Sequence, residues 1–354
     1  MHIKTFGQIS KKDVDIAGGK GASLGEMTKA GLPVPQGFVV VAGAFDRFLE
    51  ETEIEADIEA LLKKVNHKDV NSVDKASAEI RRMILDEVIP EDLQKEIMEA
   101  YHQLFKKSPT SPNPSSGRRG INQFVAVRSS ATAEDSSVAS WAGELETYLN
   151  VTEKNVIASV KKCWSSLFTP RAIFYAFEKG FYKTKKSPSP HPSRPSFAKA
   201  TADKQGRGIN TRISVAVVVQ KMVQSEVSGI SFTVHPVTKD KNQMVVEAGF
   251  GLGEAIVGGM ITPDTYIVHK NNFSILDINV SEQTFAIVRE KTGNRNKKLD
   301  KATGGKQKLT GKQIVEIAKI CKNIETHYGK PQDIEWAFEN GKFYITQSRP
   351  ITML

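Results

Sequence analysis

Two acidic residues and a matching amide and guanidinium lie on neighbouring segments near residue 340. Asp333 and Glu335 are two positions apart, and so are Gln347 and Arg349. On a β-strand, residues two apart share a face. Carboxylate and amide oxygens are hard ligands that suit Mg²⁺, and an arginine balances phosphate charge. The pattern predicts a metal and phosphate site on a hairpin; the structural alternative is a surface hairpin with ion pairs.

The turn of this hairpin decides whether the four side chains meet. Asn340-Gly341 is the strongest short hairpin signal and favours a two-residue type I′ loop. Unbroken pairing from such a loop would put Glu335 and Gln347 on opposite faces, because a one-residue shift reverses every side chain. If one site is to use both Glu335 and Gln347, the turn needs three residues, spanning 340–342 or 339–341; we predict such a turn, with all four side chains on one face.

A glycine-rich segment near the start of the sequence offers a second phosphate-handling feature. Gly18-Gly19-Lys20-Gly21 precedes a helical pattern over Ala22–Ala30. Small residues let the backbone approach an anion, the helix directs its N-terminal amides at it, and Lys20 adds a charge. The spacing is not that of a Walker A loop. An ordinary turn is the structural alternative.

A third feature is an arginine that ends a predicted strand. Arg128 closes the segment Val125–Arg128 and precedes the hydroxyl-rich stretch 129–135. This arrangement suits charge-assisted contacts to phosphate, although a surface loop after a strand-end arginine would have the same sequence. Gly143 and Thr147 flank the predicted return strand, where Gly143 either permits close ligand approach or only turns the chain.

The last glycine-rich segment, Gly249–Ala255, has spacing close to GxGxxG. It does not sit in a βαβ unit with an acidic residue about 20 positions on, so a dinucleotide-binding Rossmann motif is not indicated. The segment either cradles phosphate or packs backbones tightly together.

These segments require a mixed helix and strand scaffold. A helical run over 54–104, broken near Pro90, occupies the first part of the sequence, and a further helix is predicted over Gly311–Tyr328. Strands are predicted near 213–222, 228–234, 243–248, 264–269 and 284–290. We predict an α+β fold of two lobes, about 1–212 and 213–354, with a cleft between them.

Charge and composition predict two insertions. The segments 106–122 and 183–212 carry net charges of +4 and +7 out of +9, which leaves the rest of the chain at −2. Both are rich in Pro, Ser and Gly, a composition that does not bury enough apolar area to fold. We predict disordered inserts at 107–121 and 183–212. Because the remainder is not basic, we expect no nucleic-acid partner.

The sequence also indicates the compartment. It has no apolar run long enough to span a membrane and no signal-peptide pattern at its start. Its two cysteines, Cys163 and Cys321, lie in separate helical patterns without metal-ligand spacing, which favours reduced, buried thiols. We expect a cytoplasmic protein with no membrane partner.

Taken in order, the motifs resemble one enzyme family. The segments GGKGASLGEMTKAGLPVPQGFVV, AVRSSATAEDSSVASWAGELETYLNV, QKMVQSEVSGISFTVHPVT, GFGLGEAIVGGMITPDTY and QDIEWAFENGKFYITQSRPIT are similar to the ATP-binding domain of the phosphoenolpyruvate synthase and pyruvate phosphate dikinase family. The resemblance covers nearly the whole chain outside the inserts and the helices around 50–110. It implies an ATP-grasp-like nucleotide site between two lobes.

The resemblance also implies roles for individual residues. Lys20 and Arg128 would contact the ATP phosphates, Gly143 and Thr147 would line the closing loop, and Gln220 would meet the nucleotide from the other lobe. Glu335 and Gln347 would hold Mg²⁺ with support from Asp333, and Arg349 would grip phosphate. Arg128 and Arg349 would act catalytically by positioning and neutralising charge.

One family feature is missing from the sequence. Members carry a phosphorylatable histidine in a T-x-H-A-A type segment, followed by a barrel that binds pyruvate, and none of the seven histidines here has that context. The resemblance therefore implies the ATP-binding half of the enzyme, with the histidine and pyruvate domains truncated or on a separate chain. The alternatives are the ATP domain of a rifampicin-type antibiotic phosphotransferase and an ATP-binding module without catalysis.

Overall fold

The computed structural model of the chain describes residues 1–106, 123–132, 145–182, 214–290 and 293–351. The predicted inserts 107–121 and 183–212 lie outside the described residues, and so does Gly143. The predictions made for them therefore remain predictions.

The described residues form helices and strands in a mixed order. The helices are α1 (Val14–Lys29), α2 (Ala42–Glu51), α3 (Glu55–Lys64), α4 (Val70–Asp86), α5 (Glu91–Phe105), α6 (Val156–Ser165), α7 (Pro170–Glu178), α8 (Glu254–Val257), α9 (Lys301–Gly304) and α10 (Gly311–Tyr328). The strands are β1 (Ile3–Thr5), β2 (Gly37–Val40), β3 (Val125–Ala131), β4 (Thr147–Val151), β5 (Val215–Lys221), β6 (Val227–Phe232), β7 (Gln243–Phe250), β8 (Asp264–His269), β9 (Ile275–Asn279), β10 (Phe285–Glu290), β11 (Gly293–Lys298), β12 (Gln332–Glu339) and β13 (Lys342–Pro350). This mixture is consistent with the predicted α+β class.

The first sheet has the strand order β1-β2-β5-β3-β4, with antiparallel neighbours. Helices α2 to α7 pack on one face through a large apolar core that includes Trp164, Phe45 and Phe48. Strand β5 lies at the centre of this sheet, whereas the prediction assigned the strand near 213–222 to the second lobe. The difference arises because β5 pairs with β2 and β3, which precede it by more than 80 residues, and such long-range pairing leaves no local signal in the sequence.

The second sheet has the order β13-β12-β6-β7-β8-β9, also antiparallel, and α10 covers one face. A single buried apolar cluster joins α10 and this sheet to α1 and the first sheet. Its members include Leu24 and Met27 on α1, Val218 on β5, and Ile324 on α10. We call it the shared core. Strands β10 and β11 form a separate two-stranded antiparallel sheet.

Helix α10 shows how local signals set element bounds. Thr310 caps its start, and Thr310 and Gln313 exchange the reciprocal bonds of a capping box. Gly329 ends it with a φ of 67°, in the left-handed region that glycine adopts without strain. The predicted bounds Gly311–Tyr328 agree with the observed helix because both ends carry these signals.

The two cysteines are buried free thiols, as predicted, and burial raises the pKa of each to about 12. Among the described helices, none combines the length and the apolar character needed to cross a bilayer.

Candidate phosphate and metal site

The β12–β13 hairpin turns through Asn340 and Gly341, with φ values of 50° and 75°, and Glu339 pairs with Lys342. Two positive φ values in a two-residue loop are the type I′ geometry that Asn-Gly favours. The predicted three-residue turn is therefore wrong. The local preference of Asn-Gly determines the loop. The β12–β13 register that the shared face requires is restored by a second feature of the hairpin.

That second feature is a β-bulge on β13, five residues after Gly341 of the turn. Trp336 lies opposite Ile345, but Glu335 lies opposite Gln347, so Thr346 is an extra residue on β13. The extra residue shifts the register by one and reverses the face of everything beyond it. The predicted shared face of the four site residues is thus present, although a bulge rather than the turn produces it.

The site face of the hairpin contacts the first sheet through Arg128. Its guanidinium donates to the side-chain Oε1 of Gln347 at 2.6 Å and to the carbonyl of Thr346 at 2.8 Å. The same group lies 3.4 Å from the Glu335 carboxylate, and only 11% of the Arg128 side chain is exposed. The structure therefore brings three predicted site residues, from two sheets, into one cluster.

Neighbouring residues extend the cluster. Arg349 pairs with Asp333, with its Nε 2.8 Å from the Asp333 carboxylate. Thr147 is exposed and lies directly across from Arg128 on β4, so the two share a face of the first sheet. The surroundings of Arg128 are thus charged on the hairpin side and hydroxyl-bearing on the β4 side.

The glycine-rich segment at residue 18 meets the same strand. Gly18 interrupts α1 with φ 68° and ψ 171°, so the helix restarts just before Lys20. The Ser130 hydroxyl donates to the carbonyl of Ala17 and accepts from the amide of Gly21. Ser130 shares a face of β3 with Arg128, two residues earlier. The helix start, Lys20 and Arg128 therefore lie on one side of the first sheet.

We expect Gly18→Ala to destabilise the chain by at least about 2 kcal/mol, because the residue's backbone conformation is one that non-glycine residues avoid. A Cβ there would also lie 2.3 Å from the carbonyl oxygen of Ser130. Chemical denaturation measures the loss. Gly43→Ala is the matched control, since Gly43 lies in helix α2 with nothing within 4 Å of an added Cβ. Equal stability of the two variants would contradict the proposed strain.

The structure also gives the surroundings of two other predicted features. Gln220 lies on the first sheet with Arg128 rather than on the other lobe; it is buried, and its amide is 3.4 Å from the Pro35 carbonyl. In the last glycine-rich segment, the amides of Gly251 and Leu252 already donate to the carbonyls of Glu226 and Ile287. The geometry of that segment favours tight backbone packing, the second of its two predicted alternatives.

Sequence reasoning missed Glu247, which lies in the same row of the second sheet as Glu335. Glu335 pairs with Ile230, and Ile230 pairs with Glu247, so the two carboxylates share the site face. Burial and the nearby charge of Asp333 raise the pKa of Glu247 above its ordinary value. A glutamate within the otherwise apolar strand MVVEAGF was the available signal.

Glu247→Gln should stabilise the chain at pH 7. A raised pKa means that the folded state binds the proton more tightly, so stability falls as pH rises from the ordinary value of 4.5 through the folded pKa. The variant should lose this pH dependence, and its advantage should vanish below about pH 4.5. Denaturation at several pH values measures it, with the exposed Glu282→Gln as control. A variant less stable than wild type at pH 7 would refute the interpretation.

The donor set fits Mg²⁺ bound together with a phosphate ligand. Among the described residues, no three His, Cys, Asp or Glu side chains cluster as a metal site. Glu335 and Gln347 instead offer one carboxylate and one amide oxygen side by side. Mg²⁺ characteristically binds through one or two protein carboxylates, several waters and substrate phosphates. Arg128 lies in the middle of β3 rather than at the end of a strand as predicted. A glycine-broken helix start, this largely buried arginine and the oxygen pair are features that suit a phosphate-handling nucleotide domain.

Comparisons with known proteins specify the family. The family described as pyruvate phosphate dikinase, AMP/ATP-binding domain, matches residues 14–354. The chain therefore belongs to this family. It is similar to a probable phosphoenolpyruvate synthase of Methanocaldococcus jannaschii, with 43% identity over 99% of this chain and 27% of the relative.

Two further relatives also match nearly the whole chain. A probable phosphoenolpyruvate synthase of Archaeoglobus fulgidus is 42% identical over 100% of this chain and 42% of its own length. Rifampicin phosphotransferase of Bacillus subtilis is 34% identical over 98% of this chain and 35% of its own length. The chain thus spans less than half the length of these relatives.

Proposed function

We propose that this chain is the ATP-binding half of a phosphoenolpyruvate synthase, with an ATP-grasp-like site between its two sheets. It binds Mg-ATP and passes the pyrophosphoryl group to a histidine on a further domain or a separate chain. A pyruvate-binding barrel then completes the overall reaction, pyruvate + ATP + water to phosphoenolpyruvate + AMP + phosphate.

One observation carries this proposal: the bulge at Thr346 aligns Glu335 with Gln347 and presents both to Arg128. Glu335 and Gln347 would hold Mg²⁺, which would neutralise phosphate charge. Lys20 at the restarted helix and Arg128 would hold the phosphates, Arg349 would add charge at the rim, and Asp333 would orient Arg349. Such a site works by positioning and charge neutralisation, which requires no nucleophile from this chain.

A second candidate is the ATP domain of an antibiotic phosphotransferase, supported by the similarity to rifampicin phosphotransferase. The identity to the synthases is higher, which favours the first proposal. The two differ in the acceptor. Supplying histidine and acceptor domains of either type in trans, and following AMP release with pyruvate or rifampicin, distinguishes them. A non-catalytic ATP-binding module would release AMP with neither.

Mg-ATP should stabilise the folded chain. At a concentration one hundred times its Kd, a ligand that binds only the native state adds about 2.7 kcal/mol to the free energy of unfolding. Thermal or chemical denaturation with millimolar Mg-ATP measures the gain, and Mg²⁺ with adenosine is the control without phosphates. A folded sample that shows no stabilisation by Mg-ATP would refute the assignment.

A further inference from the structure

The guanidinium of Arg128 lies between the two side chains proposed to hold the metal. One nitrogen, Nη2, is 2.6 Å from Gln347 Oε1 and 3.4 Å from Glu335 Oε2. The other, Nη1, donates to the carbonyl of Thr346 at 2.8 Å. A single cationic group thus contacts the bulge residue and the side-chain oxygens of both proposed metal ligands.

This arrangement opposes binding of a metal ion to the same two side chains, because the positive guanidinium already lies against both. Mg²⁺ takes oxygen ligands at about 2.0–2.1 Å, and its octahedral geometry tolerates little distortion. A guanidinium nitrogen 2.6 Å from Gln347 Oε1 uses one of the two lone pairs of that oxygen and places a positive charge beside the position that the ion would take. We propose that Arg128 and the divalent cation are alternative occupants of the Glu335–Gln347 pair, so that Mg-ATP displaces Arg128 on entry. The proposal rests on the Mg-ATP site proposed above.

The structure offers the displaced guanidinium a new partner nearby. Arg128 and Ser130 share a face of β3, and Ser130 anchors the turn that precedes Lys20. A phosphate at that helix start would lie on the side of the sheet where Arg128 stands. The two cations then exchange partners: the metal takes the oxygens of Glu335 and Gln347, and Arg128 takes the phosphate.

The bulge gains a second role in this scheme. It sets the register that aligns Glu335 with Gln347, and it leaves the carbonyl of Thr346 as an acceptor for Arg128. Thr346 therefore both aligns Glu335 with Gln347 and accepts the hydrogen bond that holds Arg128 beside them.

Such an exchange couples metal and nucleotide binding. A metal ion alone must displace Arg128 without offering it a phosphate, whereas Mg-ATP supplies both partners. The apparent affinity for metal alone is reduced by the fraction of molecules in which Arg128 occupies the pair. By reciprocity, the nucleotide and the metal each strengthen binding of the other.

The test measures binding of Mn²⁺ alone, by the electron paramagnetic resonance signal of free Mn²⁺, to the full chain. Arg128→Met should bind Mn²⁺ roughly tenfold more tightly than wild type, as expected if Arg128 occupies the pair in nine molecules of ten. The same variant should bind Mn-ATP more weakly. Adding Glu335→Ala to Arg128→Met should abolish the gain for Mn²⁺ alone.

Arg128→Lys separates occupation from simple charge. Lysine keeps the positive charge but lacks the planar fork with which the guanidinium spans the two side chains and the carbonyl. It should bind Mn²⁺ more tightly than wild type, whereas a pure charge effect would leave it equal to wild type and overturn the proposal. Unchanged Mn²⁺ affinity in Arg128→Met would also overturn it, while the proposed function would stand if wild type binds Mn-ATP. Failure of wild type to bind Mn-ATP would refute the proposed function itself.

Discussion

Replacing Lys308 by methionine is expected to destabilise the chain by about 3–5 kcal/mol, because it leaves a buried carboxylate without its cation. Lys308 and Asp264 form an ion pair at 2.8 Å, and both side chains are 0% exposed. The amide of Lys308 and the hydroxyl of Tyr266 also donate to the Asp264 carboxylate. Urea denaturation gives the loss, which is a large part of the total stability of a typical domain.

The control is Lys306→Met, an exposed lysine two residues earlier, which should change stability by less than about 0.5 kcal/mol. If Lys308→Met does not accumulate as folded protein, the double variant Asp264→Leu with Lys308→Met supplies the test. Removing both charges together should recover much of the loss, since a buried pair is close to neutral relative to apolar residues. A loss below about 1 kcal/mol in the single variant would contradict the role of the pair.

Glu335→Ala should weaken Mg-ATP binding by about 100-fold or more. Residues that only support metal ligands change metal affinity by about 10- to 100-fold when mutated, so loss of a direct carboxylate ligand should reach at least the upper end. Titration calorimetry with Mg-ATP measures the effect. Binding of ATP in the presence of a chelator should change far less, because the metal contact is absent in both proteins.

Glu339→Gln is the matched control for this substitution. Glu339 is a second carboxylate on β12, but it pairs with Lys342 beside the turn, beyond the bulge. It should bind Mg-ATP as wild type does. Equal losses in Glu335→Ala and Glu339→Gln would show that the hairpin acts only through its overall charge.

The sequence predicted elements best where their signals are local. The bounds of α10 follow from Thr310 and Gly329, and the Asn340-Gly341 turn is a two-residue signal that the structure obeys. The prediction overrode that local signal to satisfy the shared face, and the override was wrong. The bulge at Thr346 has no comparable signature, because the requirement it meets is the alignment of residues on two strands.

Long-range pairing explains the other misses. Nothing near Gln220 tells which sheet β5 joins, since its partners β2 and β3 are distant in sequence. Glu247 joins the site only because β6 stands between β7 and β12 in the second sheet. The residue types of the site could be recognised in the sequence, but which of them lie beside one another depends on the order of strands in the sheets.

The shared core links the unfolding of the two sheets. Helix α1 packs its apolar residues between the two sheets, and Ser23 and Glu26 on α1 also contact Tyr328 and His327 on α10. Separating the sheets would expose apolar surface on both at once. We therefore expect the described part of the chain to unfold as a single cooperative unit rather than as two independent modules.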